Sequence, residues 1–429
     1  MAFAAIPGYL PAHLLSDASP GLRFNMYLPI WGEDKRSGQK LWNVKDGTYE
    51  VRGQRREERR VDKVNKRSAM DHATALTPDD QKRSAELRKR QAALARPMLA
   101  SGHLFLAEGR SVAPFATGLG NEHLLENGFS FLNPYGMPYL PGSSVKGVVR
   151  AAARELGWNE SLVTVLFGHP AGRDEQLLRG VLSFWDVFPA IRGDRLLVEL
   201  MTPHQSDYYA PGENGRTRAL ASPHDSGDPN PIFILTVPPE SLFGFHVSCD
   251  MTFLATIAAQ QGDAINADVV EAARQLHELP EQWKVLLSEA FDHAFSWMGF
   301  GAKTAVGYGA MVRNHDEEAR IQGEIVQERK RAAEQVARLG KSEAQLLVAD
   351  YIAWCDEMVQ STQGRRTKIG GAEYQRTQAL AQTAREGNWT AQEKAEAADA
   401  IEHWAVKLIV LDAKEARKRF GLAALRGNG

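Results

Sequence analysis

Two short segments carry residue types suited to gripping an anionic chain. The first, YLPGSSVKGVVRAAARELG, occupies residues 139–157. Pro141 and Gly142 make a turn, and Ser143 or Ser144 can cap the helix predicted over 143–156 by accepting from a free backbone N–H. The unpaired N–H groups and the helix dipole favour an anion at that end. Lys146 falls in the first turn, and Arg150 lies four residues later on the same face. Cap, lysine and arginine together make a phosphate site. A well-capped amphipathic helix with two solvated cations has the same pattern, and the Walker spacing GxxxxGK[ST] is absent.

The second segment, GFGAKTAVGYG, occupies residues 299–309. Its glycines permit positive φ and let a ligand approach the main chain. Lys303 and Thr304 add a cation and a hydroxyl, and Tyr308 can stack on a base or simply pack. Such a segment can turn backbone N–H groups toward phosphates, although tight turns and bulges need glycine as well. Neither GxGxxG spacing nor the strand-then-helix order of a dinucleotide fold is present.

Cleavage of a phosphodiester needs a general base, a general acid or a metal. The candidates are His204, Asp207, Tyr208 and Tyr209, with His224 and Asp225 nearby, all in a Pro-, Gly-, Asp- and Asn-rich stretch over 203–231. His204 and Asp207 are three apart, but no third ligand follows at helical or hairpin spacing. Metal-free cleavage by His204 with Lys303 is the remaining nuclease arrangement. Asp186, set among large apolar groups in FWDVFP, fits a structural aspartate bonding backbone N–H groups. His169 and His246 fit satisfied polar or core-edge positions. The expectation is a chain with no cofactor, no metal and no catalytic residue.

These residues need elements to hold them. Residues 103–117 read as extended, and 180–187, 195–200 and 232–237 as strands. Phe243, Phe245, Val247, Cys249, Met251 and Phe253 alternate with Gly244, His246, Ser248, Asp250 and Thr252, which predicts one half-buried strand. A helix over 280–298 puts Trp283, Leu287, Phe291, Ala294 and Phe295 near one face, and a strand over 308–313 closes this half. Each half gives strands around a helix. That α+β order fits two ferredoxin-like units, or one with an elaborated partner.

The flanks differ in composition. Residues 22–28 read as a short strand. The stretch VRGQRREERRVDKVNKR, 51–67, carries eight basic residues against three acidic ones. QKRSAELRKRQAALAR follows, where Thr77, Asp79 and Asp80 suit a helix start. These basic segments serve either as a solvated linker and helix face or as an electrostatic arm for an RNA backbone. Beyond residue 314 the chain reads as helical, with a long charged helix over 316–339, packed helices over 342–359 and 399–411, and a basic loop, GRRTKIGG, between the last two.

Bulk composition bounds this reading without supplying it. A length of 429 residues predicts two or three domains, divided as 1–96, 97–314 and 315–429. Hydrophobic residues make up 43% and charged residues 24%, so a packed core is expected. The net charge of −2 means that any nucleic-acid surface must be local. Cys249 and Cys355 are far apart and in no CxxC pair, which excludes a thiolate zinc site within one chain and fits a reducing cytosol. The start, MAFAAIPGYLPAH, is interrupted by proline and has no basic n-region, so it is a poor signal peptide. No apolar run approaches the roughly 18 residues of a membrane span.

The two motifs together resemble a family. PGSSVKGVVR followed far downstream by GFGAKTAVGYG is similar to the RAMP superfamily of CRISPR-associated proteins. GLGNEHLLENGFSF, GVLSFWDVFPA and MTPHQSDYYA, in this order, narrow the resemblance to the sixth-subunit family of the Cmr complex, the type III-B effector. The likeness covers roughly 97–314, with a weaker echo at GLRFNMYLPIW. It implies a cytoplasmic, non-catalytic structural subunit with a ferredoxin-like core, capping the 3′ end of a guide RNA beside the repeating backbone subunit. Guide RNA and other RAMP subunits are the implied partners, and target RNA is a further candidate. By the same resemblance Ser143, Ser144, Lys146, Gly147 and Arg150 lie along the RNA, and Gly301, Lys303, Thr304, Gly307 and Tyr308 form a facing glycine-rich loop. MTPHQSDYYA, with His204, Tyr208 and Tyr209, reaches RNA or a neighbour. Similar proteins often have a second histidine where Gln205 stands, which counts against a working histidine pair. The competing class is a protein-interaction module without RNA contact. Lys146 and Lys303 facing one groove favours RNA.

Overall fold

The computed structural model describes residue 4 and residues 17–34, 37–42, 44–45, 64–169, 178–202, 232–261, 265–362 and 365–427. The described residues up to Ile325 make one compact unit and those from Val326 a second.

The first unit opens with α1 (Pro20–Asn25), the hairpin β1 (Trp31–Glu33) and β2 (Lys40–Trp42), the parallel pair β3 (Val44–Lys45) and β4 (Val64–Asn65), and helices α2 (Lys66–Asp71) and α3 (Pro78–Ala100). Then come β5 (Leu104–Ser111), the short ladder β6 (Phe131–Leu132) and β7 (Met137–Pro138), α4 (Gly142–Glu155), α5 (Glu160–Phe167) and β8 (Leu182–Phe184). β9 (Leu197–Met201) and β10 (Ile232–Thr236) pair with each other. β11 (Leu242–Cys249), α6 (Met251–Ala258), α7 (Ala267–Glu278), α8 (Gln282–His293), a π-helical turn (Ala294–Met298) and β12 (Met311–Arg313) complete the series, and α9 (His315–Arg338) follows.

Four strands form one antiparallel sheet in the order β12-β5-β11-β8. With α4 between β5 and β8, and α8 between β11 and β12, this is the βαββαβ arrangement of a ferredoxin-like fold. The α+β expectation therefore holds. Among the described residues one such unit is complete, and the remaining strands pair in two-stranded ladders. Alternation decides which face is the core. Phe105, Phe243, Phe245 and Val247 are buried toward α8, where Phe245 lies 4.7 Å from Phe300 and 5.6 Å from Phe291, ring centre to ring centre. Each such side chain contributes roughly 1.5–3 kcal/mol on burial. Gly109 is required by this packing, because a Cβ there would stand 2.7 Å from the Phe295 ring.

Three sequence expectations give way, two of them to local capping. Residues 22–28 are not a strand; Pro20 sits in the first turn of α1, and the Leu22 N–H donates to Ser19 Oγ at 3.5 Å. The alternation through Met251 and Phe253 stops at Cys249, because the Asp250 carboxylate accepts from the Phe253 N–H at 2.9 Å and starts α6, which buries Leu254 and Ile257. The closing strand begins at Met311 rather than Tyr308, since Gly307 and Gly309 hold left-handed φ of 97° and 68°. The start of α3 follows expectation: Asp80 N–H donates to Thr77 Oγ1 at 3.1 Å and Thr77 N–H to Asp80 Oδ2 at 3.0 Å, a reciprocal capping box. Residues 51–63 of the basic stretch lie outside the described residues.

The second unit holds the end of α9 and helices α10 (Glu343–Ser361), α11 (Ala372–Glu386), α12 (Ala391–Leu408), α13 (Ala413–Arg419) and α14 (Leu422–Leu425). Val348, Cys355, Leu380, Ile401, Leu408 and Phe420 form its core. Capping boxes at Ser342 and Thr390 start α10 and α12. No helix among the described residues is long and apolar enough to cross a membrane.

Candidate nucleic-acid interface

Helix α4 divides cleanly into two faces. Val145, Val149, Ala152 and Ala153 are buried, the spacing of a stripe pressed onto the core. Ser143, Lys146, Gly147 and Arg150, at i, i+3, i+4 and i+7, lie together on the other side, with Ser144 beside them. The helix is not capped by either serine. Pro141 occupies the cap position with no side-chain bond, and the Gly142 N–H donates instead to Asp186 Oδ1 at 2.7 Å. The cap comes from a distant segment because Gly142 is pressed against it; a Cβ at Gly142 would stand 2.1 Å from the Phe184 carbonyl oxygen. Asp186 is thus the structural aspartate expected from its apolar setting, and both serines remain exposed.

The cations on this face are bare. Arg150 Nε and Nη2 are buried and make no hydrogen bond. Lys146, one turn earlier, likewise has no ion-pair or hydrogen-bond partner among the described residues. Burial first, and then the neighbouring Arg150, lowers the Lys146 pKa; burial and then Arg154 lowers that of Arg150. The next residue in the row, Arg154, is saturated by Glu160 through bonds of 2.8 and 2.9 Å. A desolvated guanidinium without an acceptor is unfavourable by itself and becomes favourable when an anion arrives.

The glycine-rich segment is stapled to residues 114–116. Ala302 N–H donates to the Ala116 carbonyl at 2.7 Å and Gly309 N–H to that of Pro114 at 2.8 Å. Gly301 answers to this docking, since a Cβ there would stand 2.3 Å from the Ala116 oxygen. Between the staples the chain bulges outward. Lys303 takes left-handed φ of 61° and is exposed, and Thr304–Val306 form a single 3₁₀ turn. Gly307 faces open space. Tyr308 is half-buried, with its pKa raised by burial and by the nearby Glu199 carboxylate.

The two clusters sit on connected elements. α4 packs on α8 and on the π-helical turn, and that turn leads straight into the glycine-rich segment. No hydrogen bond or ion pair joins Lys146 or Arg150 to Lys303 or Thr304. The same turn carries a residue that the sequence did not reveal. Trp297 is 80% exposed. At α-helical spacing from Trp283 it falls on the apolar face of the helix. The π turn, closed by the Gly299 N–H on the Ala294 carbonyl at 2.9 Å, widens the ring and rotates Trp297 outward.

His204, Tyr208 and Tyr209, with Asp207, His224 and Asp225, lie outside the described residues. Among the described residues no group of three His, Cys, Asp or Glu side chains is placed to hold a metal ion. His246 takes the core-edge position that was one of the two expected of it, half-buried on β11, with its Nδ1 buried without a partner.

Comparison with known proteins reports the same region. A model of the RAMP superfamily matches residues 110–312. The CRISPR system Cmr subunit Cmr6 of Pyrococcus furiosus is 26% identical over 269 residues, which span 50% of this chain and 69% of that protein. Among solved structures, a chain of the type III-B Cmr-beta complex bound to cognate target RNA is 20% identical with a TM-score of 0.35, over 53% of this chain and 65% of that one. The crystal structure of Cmr6 from Pyrococcus furiosus is 23% identical with a TM-score of 0.24, over 49% of this chain and 98% of that one.

Proposed function

We propose, from the match of residues 110–312 to a model of the RAMP superfamily, that the protein is a structural RNA-binding subunit of a type III-B CRISPR effector. It holds the 3′ part of the guide RNA and contacts the neighbouring backbone subunit. The observation that carries this reading is the cationic face of α4, where Lys146 and Arg150 make no ion pair or hydrogen bond among the described residues and the nearby Glu160 is taken up by Arg154. A phosphodiester backbone supplies that anion at regular spacing. Lys303, exposed on the bulge of the glycine-rich segment, adds a further phosphate contact, and the exposed Trp297 offers a ring on which a base can stack. Such binding is tolerant of sequence, as suits a guide whose sequence varies.

The test is guide retention by the assembled complex carrying Lys146→Ala, Arg150→Ala and Lys303→Ala. Each lost phosphate contact should shallow the salt dependence of binding by about 0.7 in log–log slope. Unchanged retention with an unchanged slope removes the reading and favours a protein-interaction module. The chain acts here without catalysing cleavage. Incubating the purified chain with labelled RNA, with and without divalent metal, tests that half; site-specific cleavage that His204→Ala abolishes would make it a nuclease.

A further inference from the structure

The four-stranded sheet has a second face, away from α8, and it is not open. α3 and the first turns of α9 lie across it and frame a half-open cavity of about 280 Å³. That is just below the ~300–1,000 Å³ range of small-molecule sites, room for one compact ligand. Leu99, Leu106 and Ile321 give it apolar walls.

Two polar groups of the sheet, Glu108 and His246, line this cavity. Glu108 and His246 lie on adjacent strands, since Glu108 pairs with Gly244 and His246 with Leu106, so they are diagonal neighbours on one face. The Glu108 carboxyl makes no hydrogen bond among the described residues; it lies over Gly244, where a Cβ would come within 2.9 Å of Oε1. His246 Nδ1 is buried without a partner, and the imidazole is stacked on Trp185 at 5.5 Å and 24°. Burial chiefly, with Glu317 and Glu318 against Arg320, pushes Glu108 up to about 8, and burial pulls His246 down to about 4 despite a bond to the Gly244 backbone. Both are therefore neutral near pH 7. A protonated carboxyl presents an O–H donor beside a carbonyl acceptor, and a neutral imidazole adds one donor or acceptor more. At the rim, Arg88 bonds Ser84 Oγ and the Pro189 carbonyl but has no carboxylate partner.

We propose that this cavity binds one nucleobase, whose amide or amidine edge pairs with Glu108 and His246 while its faces rest on the apolar walls. The base comes either from a nucleotide turned out of bound RNA or from a free nucleoside or nucleotide whose phosphate Arg88 meets. The RNA source rests on the function proposed above; the recognition chemistry does not. The site is separate from the α4 face, which lies on the α8 side of the sheet.

Titration of the full chain with uncharged adenosine, guanosine, cytidine and uridine, followed by calorimetry or saturation-transfer NMR, tests the cavity alone. At least one nucleoside should bind saturably. Ala92→Trp, an exposed α3 position at the cavity wall, should weaken that binding at least tenfold, as should His246→Phe, while Lys146→Ala with Arg150→Ala leaves it unchanged. The plug at Ala92 keeps the test decisive if His246→Phe fails to fold. RNA containing abasic nucleotides then separates the sources: lower affinity for the native chain, absent in Ala92→Trp, assigns the base to RNA, and no difference assigns it to the free ligand. No nucleoside binding, or binding that Ala92→Trp does not touch, overturns the proposal.

Discussion

Two arginines in the first unit pose the same electrostatic problem and receive opposite answers. Arg313, at the end of β12, has a side chain only 8% exposed, and every nitrogen of its guanidinium has a partner. It bonds Glu318 through Nε and Nη2 at 2.8 and 3.0 Å, and through Nη1 reaches Asp292 and Ser288 Oγ, both at 2.8 Å. Burial works against its charge, but those carboxylates prevail and raise its pKa. Arg150 is partly drawn out of water, with Nε and Nη2 buried, yet those two nitrogens meet no partner, and its pKa falls. A cation with partners is part of the scaffold. A cation without them is stable only at a cost, which makes sense where an external anion completes it.

The contrast is sharpest under mutation. Arg313→Ala leaves Glu318 and Asp292 facing each other without their cation. Breaking a buried pair from one side costs roughly 3–5 kcal/mol, so chemical denaturation should show a lower midpoint, with RNA affinity per folded molecule unchanged. A midpoint within about 0.5 kcal/mol of the native chain, the range of an ordinary surface change, would put Arg313 in the same class as Arg150 and dissolve the distinction.

Glu108 and His246 under α3 should write their own signature into the pH dependence of stability. Glu108 has a folded pKa of about 8 against 4.5 when unfolded, so between those values the folded state keeps a proton that the unfolded state has lost, and stability falls as pH rises. His246 has a folded pKa of about 4 against 6.5, so between those values only the unfolded state is protonated, and stability rises with pH. The two slopes cancel from about 4.5 to 6.5. Above 6.5 Glu108 acts alone, and stability should fall by about 1.4 kcal/mol per pH unit until about pH 8. Glu108→Gln should remove that decline relative to the native chain, and His246→Phe should expose a fall beginning near pH 4.5. Parallel curves for native chain and Glu108→Gln would mean that the carboxyl is ionised and partnered in solution.

Arg150→Met converts the comparison into a trade. The hydrophobic stem is kept and the unanswered charge removed, so the unfolding midpoint should stay level or rise while RNA affinity falls by about tenfold, or ~1.4 kcal/mol. A variant that loses stability instead would show that Arg150 has a structural partner in solution.

How much of this was legible in the residues depends on whether a property is local. The α+β order, the helix at 142–155, the capping box at Thr77 and the structural role of Asp186 were readable, because apolar spacing and cap chemistry act within a few residues. The boundaries that failed, at residues 22–28 and after Cys249, were lost to Ser19 and Asp250, caps that outweighed a β-like pattern. Trp297 was hidden by a π turn, which has no signature in apolar spacing. The bareness of Arg150 and of His246 was unreadable in principle, for a missing partner is a fact about every other element in the fold.

That division can be tested at the start of α4, where sequence and structure disagree about one hydrogen bond. Ser143 and Ser144 have the chemistry of a cap and the right position, yet the Gly142 N–H reaches across to Asp186. Asp186→Ala should therefore cost about 1 kcal/mol, the usual loss of an N-cap, while Ser143→Ala and Ser144→Ala should leave the unfolding midpoint unchanged. The serines are exposed beside Lys146, so any effect of their removal should appear in RNA binding. A reversed result, with Asp186→Ala silent and Ser143→Ala destabilising, would return the cap to the local residues and make the helix end a self-contained feature. The expected result instead ties the end of α4 to the edge strand of the sheet, so that the bare cations are held by the core and not by the loop before them.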